Sequence, residues 1–236
     1  SSSSRWPPGI GYHRTGRPTG PAGLVPAQAG KRLEPADALL GRGMGQLVGA
    51  EALARWRHPS RGLVSPTEFI PIAEATGLIR PIGAWVLQEA CRQAAVWQHA
   101  HPRRDRTLTL SINLSGRQLQ HPEVVADVAD ALRGSGLPPN SLVLEMTESV
   151  LMDDNETVLT ILRQLKELGV RLAIDDFGTG YSSLSYLHRF PVDILKIDRS
   201  FVERLSRMSD DAELARTVVR LGQSLQLVMV AEGVED

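Results

Sequence analysis

Glu51, Asn113, Glu145, Asp175, Lys196 and Glu232 each stand at or near the end of a short apolar run. In an extended chain successive side chains point to opposite faces. In Leu108–Leu114 the residues Leu108, Leu110 and Ile112 share one face and Asn113 takes the other. Glu145 opposes Leu142, Leu144 and Met146, and Asp175 opposes Leu172 and Ile174. Lys196 and Asp198 oppose Leu195 and Ile197, Glu232 opposes Leu227 and Met229, and Glu51 shares parity with Arg55. One face of each run is apolar, and the other presents a polar group toward the strand's C-terminal end. Carboxylates brought together in this way repel one another unless cations hold them. Glu51, Asn113, Glu145, Asp175 and Asp176 all offer hard oxygen donors, which suit Mg²⁺ or Mn²⁺. Two such ions activate water and neutralise a leaving oxygen, a common arrangement for splitting phosphodiesters.

A single acid at a strand end is most often a solvated or capping residue. Six polar groups on matching parity are much harder to ascribe to chance. Asp175-Asp176 precedes Phe177-Gly178-Thr179-Gly180, and a Gly-rich turn by itself does not require two adjacent acids after a buried strand. Glu148 follows Glu145 by three residues, a spacing that also suits a helix cap. Competing chemistries lack their motifs. The six histidines form no zinc-protease spacing, and the chain has neither a Gly-x-Ser-x-Gly elbow nor a Gly-rich loop ending in Lys-Ser/Thr.

The elements that must position these groups alternate. Strand-like runs at 47–56, 108–114, 142–147, 171–177, 194–198 and 227–232 are separated by helical patterns. Pro66–Ala75 opens with Ser65 as N-cap and Pro66 in the first turn. Pro81–His99 has Ile82, Trp85, Val86, Ala90 and Trp97 on a helical spacing, with both tryptophans expected to pack. Pro122–Arg133 is expected to end at Gly134 and Asp154–Leu168 at Gly169, with a last helix over Asp211–Leu225. Alternating βα units imply a parallel sheet with crossovers outside it, either doubly wound or closed as a TIM-type barrel.

The composition fits one large globular domain: 236 residues, 42% hydrophobic, 26 basic against 27 acidic side chains. So even a balance points away from DNA or RNA polymers as partners. Cys91 is the only cysteine, which rules out an internal disulfide and suits a reducing compartment. No apolar run approaches a membrane span, and a cytoplasmic location is expected. Residues 1–45 are crowded with Gly, Pro and Ser and hold no sustained period, which predicts a disordered leader ahead of a domain at 46–236.

Several strings, in order, resemble the EAL family of cyclic di-GMP phosphodiesterases. They are Glu51-Ala52-Leu53 with Ala54-Arg55-Trp56, Ser65-Pro66-Thr67-Glu68-Phe69-Ile70-Pro71, Asn113-Leu114-Ser115, Glu145-Met146-Thr147-Glu148, Asp175-Asp176-Phe177-Gly178-Thr179-Gly180-Tyr181-Ser182-Ser183-Leu184, Lys196-Ile197-Asp198 and Glu232-Gly233-Val234-Glu235. The resemblance implies a TIM-like (β/α)₈ barrel whose first strand runs antiparallel to the rest. It implies hydrolysis of cyclic di-GMP to linear pGpG with two Mg²⁺ or Mn²⁺ ions. It makes Glu51, Asn113, Glu145, Asp175 and Asp176 the metal ligands, and Lys196 and Glu232 the groups acting on the attacking water. Arg55 and Leu53 would contact substrate. The Asp176–Ser183 loop, steadied by Glu148, would link the site to a homodimer.

Two departures from the family pattern stand out. No Tyr-Gln-Pro-like strand precedes Glu51, and the sequence ends at Asp236, ahead of the family's final helix and strand. The expectation is therefore a C-terminally truncated EAL domain, its barrel incomplete at the first and last strands and open at that seam. The alternatives to the enzyme are a non-catalytic cyclic di-GMP receptor or interaction module, and an inactive fragment.

Overall fold

The computed structural model describes residues 10–13, 31–40, 47–100, 108–152, 156–177, 187–199 and 220–231. Its strands are β1 (Ile10–His13), β2 (Lys31–Leu40), β3 (Leu47–His58), β4 (Gly62–Val64), β5 (Thr109–Asn113), β6 (Leu142–Thr147), β7 (Arg171–Phe177), β8 (Ile194–Ile197) and β9 (Val228–Ala231). The helices are α1 (Pro66–Thr76), α2 (Ile79–Ala100), α3 (Glu123–Ser135), the single turn α4 (Ser149–Met152) and α5 (Glu156–Glu167).

Strands β3, β5, β6, β7, β8 and β9 pair in parallel, each with the next. Parallel neighbours need crossovers, and helices supply them. Helix α5 illustrates why. Its Val158, Leu159, Ile161, Leu162 and Leu165 recur at helical spacing and are all buried. They meet the outward side chains of the sheet: Leu142, Leu144, Met146, Leu172, Ile174 and Leu195 belong to the same core. Burying each such leucine contributes roughly 1.5–3 kcal/mol. A second, smaller cluster of Val143, Ala173 and Ile194, with Val230 beside it, lies on the opposite face of the same strands. It is the barrel's inner plug. Two residues further along β6, β7 and β8, on that inner face, come Glu145, Asp175 and Lys196.

The fold is the TIM-like α/β class, and its regular βα run is incomplete. Between β9 and β3 the ring is bridged by two strands from the N-terminal segment. β1 pairs in parallel with β9 and antiparallel with β2, and β2 pairs antiparallel along the length of β3. Composition predicts a disordered leader over 1–45, yet Ile10–His13 and Lys31–Leu40 are strands. The rest of that segment lies outside the described residues. The physical reason is the edge itself: β3 offers a row of unpaired backbone groups, and a chain of adequate length can pair with them whatever its periodicity. The register of β2 slips between Pro35 and Asp37, as expected where a proline supplies no N–H to the ladder.

Helix ends follow local chemistry. Ser65 is extended ahead of Pro66, and α1 stops at Gly77, whose φ of 76° is left-handed. Helix α3 runs through Gly134 and stops at Gly136 (φ 71°), two residues later than the sequence suggests. The expected helix at 211–225 is described only over its last turns, from residue 220.

Candidate active site

The polar inner layer is assembled by register. Glu51 is level with Ser111 across β3 and β5, and Asn113 with Glu145 across β5 and β6. Asn113 Nδ2 donates to Glu51 Oε1 at 2.7 Å. A carboxylate only accepts, so the amide nitrogen must face Glu51, and Oδ1 is the atom Asn113 has to offer a cation. Lys196 Nζ donates to Glu145 Oε2 at 2.7 Å and lies 3.0 Å from Asp175 Oδ2. Glu145 and Lys196 are 2% and 3% exposed, so this is an ion pair removed from water.

Burial, more than any neighbour, pushes the Glu145 carboxyl up to about 7. The Lys196 ammonium pulls the other way, and the carboxylates of Glu51 and Asp175 add to the rise. One lysine among three carboxylates leaves the cluster short of positive charge. A divalent cation would supply that charge, and the donors are the hard oxygens that Mg²⁺ or Mn²⁺ prefers. The residues therefore fit such an ion chemically. They are not a ready-made cage: among the described residues no three His, Cys, Asp or Glu side chains are gathered closely enough to hold a metal. Glu51 is engaged with Asn113 and Glu145 with Lys196, so an ion would be met by the oxygens those bonds leave over.

The two adjacent aspartates are handled by a bulge. Pairing of β7 with β8 slips between Ile174 and Phe177. Within that slip Asp176 takes a left-handed φ of 55°, and its N–H donates to Asp175 Oδ1 at 3.0 Å. Aspartate tolerates this conformation better than most residues. A bulge breaks strict alternation, so Asp175 faces Lys196 while Asp176 is exposed at the strand's end and Phe177 returns to the core.

Arg55 and Leu53 share Glu51's face of β3 and are half-buried, further along the strand. Arg55 Nη1 donates to the Ala54 carbonyl at 3.3 Å. Glu148 is 6% exposed just past β6. Glu232 and the loop over 178–183 lie outside the described residues, although β9 leads directly to Glu232.

Two residues at the site's supports escaped the sequence reading. Asp193 accepts from Lys166 Nζ through both oxygens, at 2.7 and 2.8 Å, and from the Leu172 N–H at 2.8 Å. It ties α5 and β7 to the start of β8, three residues before Lys196. Its only sequence signal is an acid before an apolar run. Ser111, 2% exposed, lies two residues before Asn113 on the inner face, where parity places it.

The sequence matches the EAL domain family over residues 43–236, and the chain belongs to that family. It is 50% identical over 194 residues to the bifunctional diguanylate cyclase/cyclic di-GMP phosphodiesterase MucR of Pseudomonas aeruginosa, which covers 81% of this chain and 27% of that protein. It is 44% identical over 191 residues to the cyclic di-GMP phosphodiesterase NbdA of the same organism, covering 81% of this chain and 24% of that one. The chain thus spans about a quarter of the length of these curated relatives. The solved structure of the MucR phosphodiesterase in complex with c-di-GMP superposes with a TM-score of 0.73 at 47% identity, covering 88% of this chain and 79% of that one.

Proposed function

We propose that this domain is a cyclic di-GMP phosphodiesterase, hydrolysing the dinucleotide to linear pGpG with two Mg²⁺ or Mn²⁺ ions. The observation that supports this most is the polar layer at the barrel's mouth, buried at Glu145 and Lys196. There Lys196 holds Glu145 and Asp175, and Asn113 is locked to Glu51 with its Oδ1 left for a ligand. Glu51, Asn113, Glu145, Asp175 and Asp176 would hold the ions. Ions bound there would supply Lewis acidity and make a bound water a stronger nucleophile near neutral pH.

The chain's own groups do the rest. Lys196 keeps two carboxylates apart and oriented, and its ammonium stands beside the position an attacking oxygen would take. Glu232, following β9, accepts the water's proton. Arg55 draws in a substrate phosphate, since a guanidinium matches phosphate oxygens in shape and charge, and Leu53 packs on the base. Glu148 steadies the loop that begins at Asp176, through which a homodimer would be coupled to the site. The working compartment is the cytoplasm. The buried Cys91 thiol, raised by burial to about 12, is inert there. Among the described residues no helix is long and apolar enough to cross a membrane.

The test is turnover of cyclic di-GMP by purified protein with Mg²⁺ or Mn²⁺, followed by chromatography, with Glu51→Ala as control. Formation of pGpG that the control abolishes is expected. A folded, Mn²⁺-loaded protein that binds the dinucleotide and leaves it intact would overturn the enzyme in favour of a receptor.

A further inference from the structure

Asn113 is the last residue of β5, so its side chain is only as well placed as the turn that follows it. Leu114 N–H donates to the Glu145 carbonyl at 2.7 Å, which ties the turn's first residue to β6. The next residue, Ser115, is clasped from both sides by Gln118. Ser115 N–H donates to Gln118 Oε1 at 3.2 Å. In return Gln118 N–H reaches Ser115 Oγ at 3.3 Å and the Ser115 carbonyl at 3.0 Å.

Gln118 is 5% exposed, an unusual setting for an uncharged polar side chain with four hydrogen-bonding positions. Its burial depends on a second element. A Cβ on Gly83 of α2 would lie 2.0 Å from Gln118 Nε2 and 2.8 Å from its Cδ. The amide therefore lies against the helix in space that only a glycine leaves open. The clash would fall on the far end of a flexible side chain, so a larger residue at 83 would push the glutamine aside before it disturbed the helix.

We propose that Gln118 is a positioning residue for the metal site. Seated against Gly83, it fixes the turn at Ser115 so that Asn113 presents Oδ1 to the cation while Nδ2 stays on Glu51. This rests on the reading of Asn113 as a metal ligand. Residues that orient a ligand from behind typically change metal affinity or activity 10- to 100-fold when altered.

The test is the dissociation constant for Mn²⁺, measured by calorimetry on the full chain, with Gln118→Met, Gly83→Ala and Leu87→Ala compared. Gln118→Met keeps length and removes the acceptor, Gly83→Ala displaces the amide from α2, and Leu87→Ala destabilises the same helix's core contact while leaving both Gly83 and Gln118 in place. Mn²⁺ binding roughly 10-fold or more weaker in Gln118→Met and Gly83→Ala, unchanged in Leu87→Ala, with faster hydrogen exchange at the Ser115 amide in the first two, is expected. If Gln118→Met does not fold, Gly83→Ala decides alone by the same readouts. Unchanged Mn²⁺ affinity in a folded variant, or an equal loss in Leu87→Ala, would overturn the proposal while leaving the phosphodiesterase reading intact. A wild-type chain that binds no Mn²⁺ would overturn both.

Discussion

Glu145→Gln should make the metal-free protein more stable, and by an amount that depends on pH. The carboxyl is 2% exposed and raised by burial from 4.5 to about 7. Because the folded value lies above the unfolded one, the protonated form's advantage is complete below about 4.5 and is lost as pH rises through 7. At about 1.4 kcal/mol for each tenfold, ionising Glu145 in the folded chain costs about 3 kcal/mol by pH 8. Glutamine mimics the protonated carboxyl and keeps an oxygen for Lys196. In a chelator, wild type and variant should match near pH 4.5, diverge through pH 7, and differ by about 3 kcal/mol above it. For a chain of this size that is roughly 6 to 12 °C in thermal midpoint. Saturating Mn²⁺ should reverse the order. A ligand at a thousand times its Kd adds about 4.1 kcal/mol to the form that binds it, more than that gap, and the glutamine has lost the anionic donor. Melting curves from pH 4.5 to 8.5, with chelator and with Mn²⁺, read both effects. A variant no more stable than wild type in chelator at pH 8, or a gap that does not change with pH, would refute the reasoning.

Removing the ammonium instead should do the opposite: Lys196→Met leaves Glu145 and Asp175 unpaired in the barrel and should cost about 3–5 kcal/mol at pH 8. Urea unfolding at pH 5.5, where Glu145 is protonated, should recover part of that loss, and equal losses at both pH values would contradict the charge argument. At the seam, a chain shortened to begin at residue 41 loses β1 and β2 and exposes the edges of β3 and β9. It should self-associate on size exclusion, and a monomer as stable as the full chain would show the seam strands to be dispensable.

Parity made much of the site legible in the sequence. Glu145 and Lys196 stand in short runs whose every other residue is Leu, Ile, Val or Met, so one inward position implies the other. The same logic reaches Asp175 but fails just after it, because a bulge and the left-handed Asp176 break the alternation before Phe177. Arg55 shares Glu51's face, yet distance along β3 separates it from the carboxylates, and parity says nothing about level. The strands at Ile10–His13 and Lys31–Leu40 were not legible, since Lys-Arg-Leu-Glu-Pro-Ala-Asp-Ala-Leu-Leu has no clean period and a proline within it. What makes it a strand is the unpaired edge of β3, a long-range fact. Gln118 was hidden for a similar reason: its burial depends on Gly83, on a helix distant in sequence.

The central claim is that oxygen donors at the strand ends hold the ions on which phosphodiester hydrolysis depends. The most direct measurement is the rate of pGpG formation from cyclic di-GMP as Mn²⁺ is titrated into chelator-treated wild type and Glu51→Ala. The account predicts a rate that rises from background to saturation in wild type and stays at background in the variant. Turnover that persists in chelator, or that Glu51→Ala leaves unchanged, would contradict it.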